Sequence, residues 1–220
     1  MSSGSESCGV GPGCVFIVDD DASFLRSLSR LLRAAGYTIQ AFGSALEFLE
    51  RDDPEMPGCV VADLQMAGLN GLELQEVLSR TANPMPVIFL TGQGDIPTTV
   101  RAMQQGAVDF LTKRAPKEDI LAAVERALGR NAGERGKREQ LRALRERFDV
   151  LSKRELEVLG HVLRGKLNKQ IAADLLINER TVKMHRTSIT RKLQVYSVAE
   201  LTRLAVEAGV FRATAPHSNA

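Results

Sequence analysis

At 220 residues the chain has room for two compact domains, and its 29 Lys+Arg against 27 Asp+Glu give a net charge of +2 that hides a division. Residues 1–128 hold 10 Lys+Arg against 17 Asp+Glu (−7), whereas residues 129–220 hold 19 against 10 (+9), the electrostatic footprint of a polyanion binder. The apolar runs are far shorter than a membrane span, the Ser/Gly-rich start has no basic or apolar segment, and Cys8, Cys14 and Cys59 form no metal spacing and no even disulfide set, so no membrane span, signal peptide or disulfide scaffold is expected and a reducing cytoplasm is the expected compartment.

Residues 1–13 read as a flexible N-terminus. Short apolar runs bounded by turn residues follow at 15–18, 59–62, 87–90 and 108–111 and read as strands. Helical periods lie between them, such as Phe24, Leu25, Leu28, Leu31 and Leu32 before Gly36, so strands alternate with helices and the sheet should be parallel. The strands end in Asp19-Asp20, Asp63, Thr91 and Lys113, and ligands of such open sheets bind beyond the carboxyl ends of the strands. These five side chains therefore converge on one crevice. Lys113 is the first lysine of the chain, an isolated cation facing three carboxylates.

Three converging carboxylates repel one another unless a hard cation neutralises them. Mg²⁺ meets that need with one or two carboxylates, a carbonyl and waters, and it works beside phosphate. A carboxylate can also act as nucleophile and form an aspartyl-phosphate. Thr91 and Lys113 would then supply a hydroxyl and a positive charge to the phosphoryl oxygens. Taken singly, each residue has a plainer role. Asp20 or Asp21 can cap a helix starting at Ala22, Asp63 can simply end a strand, and Met66, Met103 and Phe110 can be core. The joint placement at successive strand ends carries the chemistry.

The acidic pair Asp19-Asp20, the segment Asp63-Leu-Gln-Met-Ala-Gly-Leu-Asn-Gly71, Thr91 and Lys113 together resemble the receiver domain of two-component response regulators, over residues 14–128. The resemblance implies a doubly wound, five-stranded parallel α/β sheet of the flavodoxin-like kind. It implies that Asp63 accepts a phosphoryl group from a histidine kinase, and that Asp20, Asp63 and the Gln65 backbone carbonyl hold Mg²⁺, with Asp19 acting through water. Phe110 matches the aromatic switch that turns inward as Thr91 moves to the phosphate. Two positions depart from the family pattern: Ala67 follows Met66 where proline is usual, and Arg114 follows Lys113 where a cis-proline is usual. A cis bond before Arg114 would cost about 3 to 4 kcal/mol, so a trans or locally strained loop is expected. A competing likeness, of Asp19-Asp-Asp21-Ala-Ser23 and Gly94-Asp95 to haloacid-dehalogenase-like phosphatases, lacks a lysine before Gly94 and has Thr99 where a second aspartate belongs; Arg80 is a weak stand-in for the lysine.

Residues 129–136, rich in glycine and polar side chains, predict a break, and 129–150 a partly helical linker. Within it a charged helix over 137–148 carries Leu141, Leu144 and Phe148, which with the following Leu151 stand at spacings of 3, 4 and 3, a seam short enough to be an intramolecular contact. The segment 151–211 predicts four short helices, and 212–220 a flexible tail. Ser152-Lys-Arg-Glu155 is a capping box for a helix ended by Gly165, and Asn168 is expected to cap a helix holding Ile171, Ala172 and Leu175. Asn178 caps a third helix over 179–193, and Ser197-Val-Ala-Glu200 opens a fourth. The tight turn at Leu176-Ile177-Asn178 makes the middle pair a helix-turn-helix. On the third helix Val182, Ile189 and Leu193 form one stripe, and Arg180, Met184, Thr187 and Arg191, with Lys183 beside them, form the opposite one. The second helix of such a unit enters the major groove.

Leu151-Ser-Lys-Arg-Glu155, Glu157-Val-Leu159, Asn168-Lys-Gln-Ile-Ala172, Thr181-Val-Lys183, His185-Arg186 and Lys192-Leu193 resemble the LuxR-type helix-turn-helix. With the receiver, the chain resembles a FixJ/NarL-type transcriptional regulator, and the turn Thr91-Gly-Gln-Gly-Asp95 favours the FixJ branch. The resemblance implies a DNA-binding set of Lys169, Arg180, Thr181, Lys183, Met184, His185, Arg186, Thr187, Arg191 and Lys192. It also implies inhibition of the output domain that phosphorylation and dimerisation relieve, with residues 197–208 at the dimer contact. The implied partners are a sensor histidine kinase, double-stranded DNA, RNA polymerase and a second copy of the chain, with no membrane and no enzymatic turnover. A phosphorylation-independent DNA binder with a degenerate receiver is the alternative.

Overall fold

The computed structural model describes residues 13–51, 53, 56–81, 83–92 and 96–211. The chain divides into two units, Met1–Arg135 and Gly136–Ala220. The N-terminal and C-terminal tails, Cys8 and the Gln93-Gly94-Asp95 part of the predicted turn lie outside the described residues.

The first unit runs β1 (Cys14–Val18), α1 (Ala22–Ala34), β2 (Thr38–Phe42), α2 (Ala45–Leu49), β3 (Gly58–Ala62), α3 (Gly71–Ser79), β4 (Val87–Thr91), α4 (Ile96–Gln104) and β5 (Asp109–Thr112), and α5 (Lys117–Glu146) begins in it and ends in the second. Its strands are parallel in the order β2-β1-β3-β4-β5, the doubly wound topology the sequence implies. Strands β1, β3 and β4 are buried throughout because helices cover both faces. Phe16, Val18, Val60 and Phe89 pack on one side, and Val15, Ile17, Val61, Ile88 and Leu90 on the other. Strand β2, which no apolar run marks, is an edge strand with only Ile39 buried, and its pairing with β1 rather than its composition makes it a strand. Burial pushes the Cys59 thiol up to about 12, with the Cys14 thiol adding to the shift, so it stays protonated in the core.

Register brings the predicted residues to one edge. Val18 pairs with Ala62, so Asp19 and Asp63 emerge side by side, and the Asp63 N–H donates to the Val18 carbonyl at 2.9 Å. Thr91 pairs with Thr112, and the Lys113 N–H donates to the Thr91 carbonyl at 2.8 Å. The strand order reverses between β1 and β3, which opens the crevice there.

Met103 is 45% exposed rather than core: the only buried residue of α4 is Ala102, and the apolar period Ile96, Val100, Met103 lies on the outward face. The break at 129–136 is absent, because α5 continues for 30 residues to Glu146 and takes in most of the charged helix placed at 137–148. A side chain at Gly129, Gly133 or Gly136 would meet nothing within 4 Å, so each glycine costs only its propensity, about 1 kcal/mol relative to alanine. Helix-forming neighbours, the pairs Arg130–Glu134 and Arg142–Glu146, and the buried anchors Ile120, Val124 and Leu128 outweigh that cost.

The second unit contains α6 (Lys153–Leu163), α7 (Asn168–Asp174), α8 (Glu179–Leu193) and α9 (Val198–Glu207). The expected caps of α6, α8 and α9 form: Ser152 accepts from the Glu155 N–H, Asn178 from the Thr181 N–H and Ser197 from the Glu200 N–H. Asn168 is not the cap of α7 but its first residue; Leu167 holds the cap position, and its N–H donates to Gln170 Oε1 at 2.8 Å. Phe148 and Leu151 are buried with Val158, Leu159, Ile189 and Leu193, and Leu144 packs against them, so these three members of the seam make an internal contact.

Candidate functional site

The acidic crevice is built from loop starts. Asp21 Oδ1 accepts from the Ser23 and Phe24 N–H groups at 2.8 and 3.2 Å and so caps α1, which leaves Asp19 and Asp20 to the crevice. Asp19 is 1% exposed and Asp63 7%, while Asp20 is exposed. The three carboxylates bring ligand oxygens within 4.8 Å of one another. Lys113 Nζ lies 2.6 Å from Asp19 Oδ2 and 2.8 Å from Asp63 Oδ2 and bridges the pair. Burial raises the Asp19 carboxyl above the ordinary carboxylate range against the opposing hydrogen bond from Lys113. Burial also works against the Lys113 ammonium, but hydrogen bonds to Asp19 and Asp63 prevail and hold it above the usual lysine value. Thr91 is buried at the end of β4, and Phe110 is half-buried with its ring 6.2 Å from that of Phe89.

The two departures from the family pattern have structural consequences. The Ala67 N–H donates to Asp20 Oδ2 at 3.2 Å, a bond that proline has no N–H to make. No cis peptide bond occurs among the described residues, so the bond before Arg114 is trans.

In the second unit, the chain turns between α7 and α8 through Leu176, whose φ of 52° is left-handed. Arg154 Nη2 donates to the Leu175 carbonyl at 2.6 Å and closes the end of α7. Val182, Ile189 and Leu193 are the buried stripe of α8, whereas Arg180, Lys183, Met184, Thr187 and Arg191 are exposed. His185 and Arg186 are half-buried, and Arg186 Nη1 donates to Asn168 Oδ1 at 2.9 Å beside a groove that Lys183 and Thr187 also line. Lys169 is exposed in the first turn of α7. The Thr181 hydroxyl is engaged by Asn178 Oδ1 at 2.9 Å. Lys192 Nζ lies 2.7 Å from Glu155 Oε2 and 3.1 Å from the Val150 carbonyl, where it neutralises a buried carboxylate.

Residues 15–125 match the response regulator receiver domain, and residues 149–205 match the luxR family of bacterial regulatory proteins. The chain belongs to the two-component response regulators. This response regulator is 42% identical over 190 residues to the response regulator protein TodT of Pseudomonas putida, covering 86% of this chain and 84% of TodT. It is 42% identical over 197 residues to the transcriptional regulatory protein FixJ of Azorhizobium caulinodans, covering 89% and 93%. Among solved structures, the response regulator StyR matches with a TM-score of 0.73 and 45% identity over 88% of this chain and 98% of StyR. The response regulator thus pairs a flavodoxin-like receiver with a LuxR-type DNA-binding domain.

Of the predicted site residues, the response regulator's fold gathers Asp19, Asp20, Asp63 and Lys113 into one cluster, with Thr91 at the adjoining strand end. It places Lys183, Met184 and Thr187 on the exposed face of α8. The Phe24 ring beside Lys113, the Ala67 N–H on Asp20, the Asn168 support of Arg186 and the Lys192–Glu155 pair have no counterpart in the sequence pattern. Each joins residues distant in sequence, and no local pattern announces any of them.

Proposed function

We propose that Asp63 is the phosphoacceptor of a phosphorylation-controlled transcription regulator and that its modification releases dimeric, sequence-specific DNA binding. The observation that carries this reading is the cluster of three carboxylates bridged by Lys113. An Asp63 carboxylate oxygen attacks phosphorus, the phosphorus–nitrogen bond to the kinase imidazole breaks, and the imidazole keeps the electron pair. Lys113, held between Asp19 and Asp63, exchanges a carboxylate partner for a phosphoryl oxygen, and the Thr91 hydroxyl donates to another. The oxygen-only donor set fits Mg²⁺, which Asp20, Asp63 and the Gln65 carbonyl would hold, Asp19 through water; bound there, it would neutralise the phosphoryl charge. Phe110 turns inward as Thr91 engages the phosphoryl group. The chain then acts as a stoichiometric switch rather than a turnover enzyme, in the cytoplasm, with a sensor kinase, DNA and RNA polymerase as partners. No helix among the described residues is long and apolar enough to cross a membrane. Label from a small phosphodonor that is retained with Mg²⁺ and abolished by chelation tests this reading; steady phosphate release from a chromogenic ester would favour a phosphatase instead.

In the second unit we assign base reading to Lys183, Met184 and Thr187, with Arg180, Arg191, His185 and Arg186 flanking them, and phosphate contact to Lys169. Thr181 and Lys192 support the fold of that face. Thr187→Ala or Lys183→Ala is expected to cost roughly 1 to 3 kcal/mol on the selected operator and little on scrambled DNA. Lys169→Ala should weaken binding to both and make the salt dependence shallower. Salt titrations of each variant on the two duplexes check this; equal loss on both for Thr187→Ala would displace the base-reading face.

A further inference from the structure

Lys113 has a third neighbour that phosphoryl transfer does not account for. An ammonium carries three N–H donors. Two of its sides face Asp19 Oδ2 and Asp63 Oδ2, and the Phe24 ring centroid lies 4.6 Å from Nζ, within the roughly 6 Å reach of a cation–π contact. The placement follows from the acidic run itself. Asp19 Oδ1 accepts from the Asp21 N–H at 2.9 Å, and Asp21 in turn caps α1 through the Ser23 and Phe24 N–H groups. The residue that seats the ring is therefore tied to one of the carboxylates that hold the ammonium.

We propose that Phe24 is a positioning residue for Lys113: its ring face holds the ammonium beside Asp63 and away from water while leaving it able to pass from a carboxylate to a phosphoryl oxygen. The proposal rests on Asp63 as phosphoacceptor. A carboxylate or carbonyl in the ring's place would compete directionally for the ammonium, and a carboxylate would add negative charge beside an incoming phosphoryl group. A ring attracts the cation with little directional demand and carries no net charge. It also excludes water from one side of Nζ, which strengthens the pull of Lys113 on developing phosphoryl charge. An aliphatic side chain would supply the exclusion without the attraction.

The test uses the full chain with acetyl phosphate and Mg²⁺. In that reaction an Asp63 oxygen bonds to phosphorus, the phosphorus–oxygen bond to the acetyl group breaks, and acetate leaves with the electron pair. Phe24→Leu keeps the apolar bulk, a polyfluorinated phenylalanine at position 24 keeps the shape but cancels the negative ring face, and Phe24→Tyr keeps the face. Phosphorylation is expected to slow about threefold to tenfold in the first two, and the tyrosine variant to recover most of the rate, with melting temperatures alike. In metal-free protein, the Lys113 ε-methylene protons should show a ring-current displacement that Phe24→Leu removes. A fluorinated chain that keeps the parent rate, or a parent without that displacement, overturns the role of Phe24 alone. A parent chain that takes up no phosphoryl group removes the phosphoacceptor assignment and this proposal with it.

Discussion

Asp63→Asn abolishes covalent phosphoryl uptake and leaves the first unit folded. The amide keeps the carboxylate's shape but lacks its nucleophilic oxygen, so transfer has no acceptor. The fold should tolerate the change because the contacts of Asp63 are separable. Its Oδ1 accepts from the Gln65 N–H at 3.3 Å, which an amide oxygen can replace, and Lys113 keeps its 2.6 Å partner Asp19. Loss of one charge also relieves repulsion among the three carboxylates, which offsets the lost ion pair. The measurement is hydroxylamine-labile label from a phosphodonor, alongside thermal melting. A variant that still takes up label at the parent level would place the acceptor elsewhere.

Glu155→Ala destabilises the second unit by about 2 kcal/mol, below the roughly 3 to 5 kcal/mol of a fully buried pair because the Lys192 partner is partly exposed. The Glu155 side chain is 6% exposed; its Oε2 accepts from Lys192 Nζ at 2.7 Å and from the Ser152 N–H at 2.7 Å, so one carboxylate closes a capping box and anchors α8 to α6. The hydrogen bond from Lys192, with those from Ser188 and Ser152, pulls its pKa down from 4.5 to about 2. A lowered folded value means that this stabilisation is complete above about pH 4.5 and is lost as pH falls toward 2. The loss is about 2 to 3 kcal/mol, toward the lower end because the Lys192 side chain is 34% exposed and solvent screens the pair. Amide protection factors of α6 and α8 in the full chain, taken relative to the intrinsic exchange rate at each pH across that window, should fall in the parent and hold steady in Glu155→Gln. A parallel fall in both would assign the acid sensitivity to another group.

The crevice was legible because its chemistry sits at strand ends, and strands buried on both faces write themselves as continuous apolar runs. Asp63 and Thr91, at the ends of the buried strands β3 and β4, could be placed without knowing the helices between them. The edge strand β2 was not legible as an apolar run, since Thr38, Gln40 and Ala41 face water or half-buried surroundings and only its pairing with β1 fixes it. Glycines 129, 133 and 136 predicted a break that packing at Ile120, Val124 and Leu128 overrides. Glu155 was visible as a capping residue but not as the partner of Lys192, which lies 37 residues on. The same limit hid Phe24, because a ring on the first turn of a helix reads as core until the fold brings Lys113 beneath it.

In the proposed switch, phosphoryl chemistry at Asp63 governs DNA binding by the second unit. Its most direct test is the affinity of the full chain for a selected DNA fragment, measured with Mg²⁺ in the presence and absence of a small phosphodonor, for the parent and for Asp63→Asn. The phosphodonor is expected to tighten binding by the parent about tenfold or more, as a shift toward the competent state requires, and to leave the variant unchanged. Equal affinity of the parent with and without phosphodonor, under conditions where label on Asp63 is demonstrated, would contradict it.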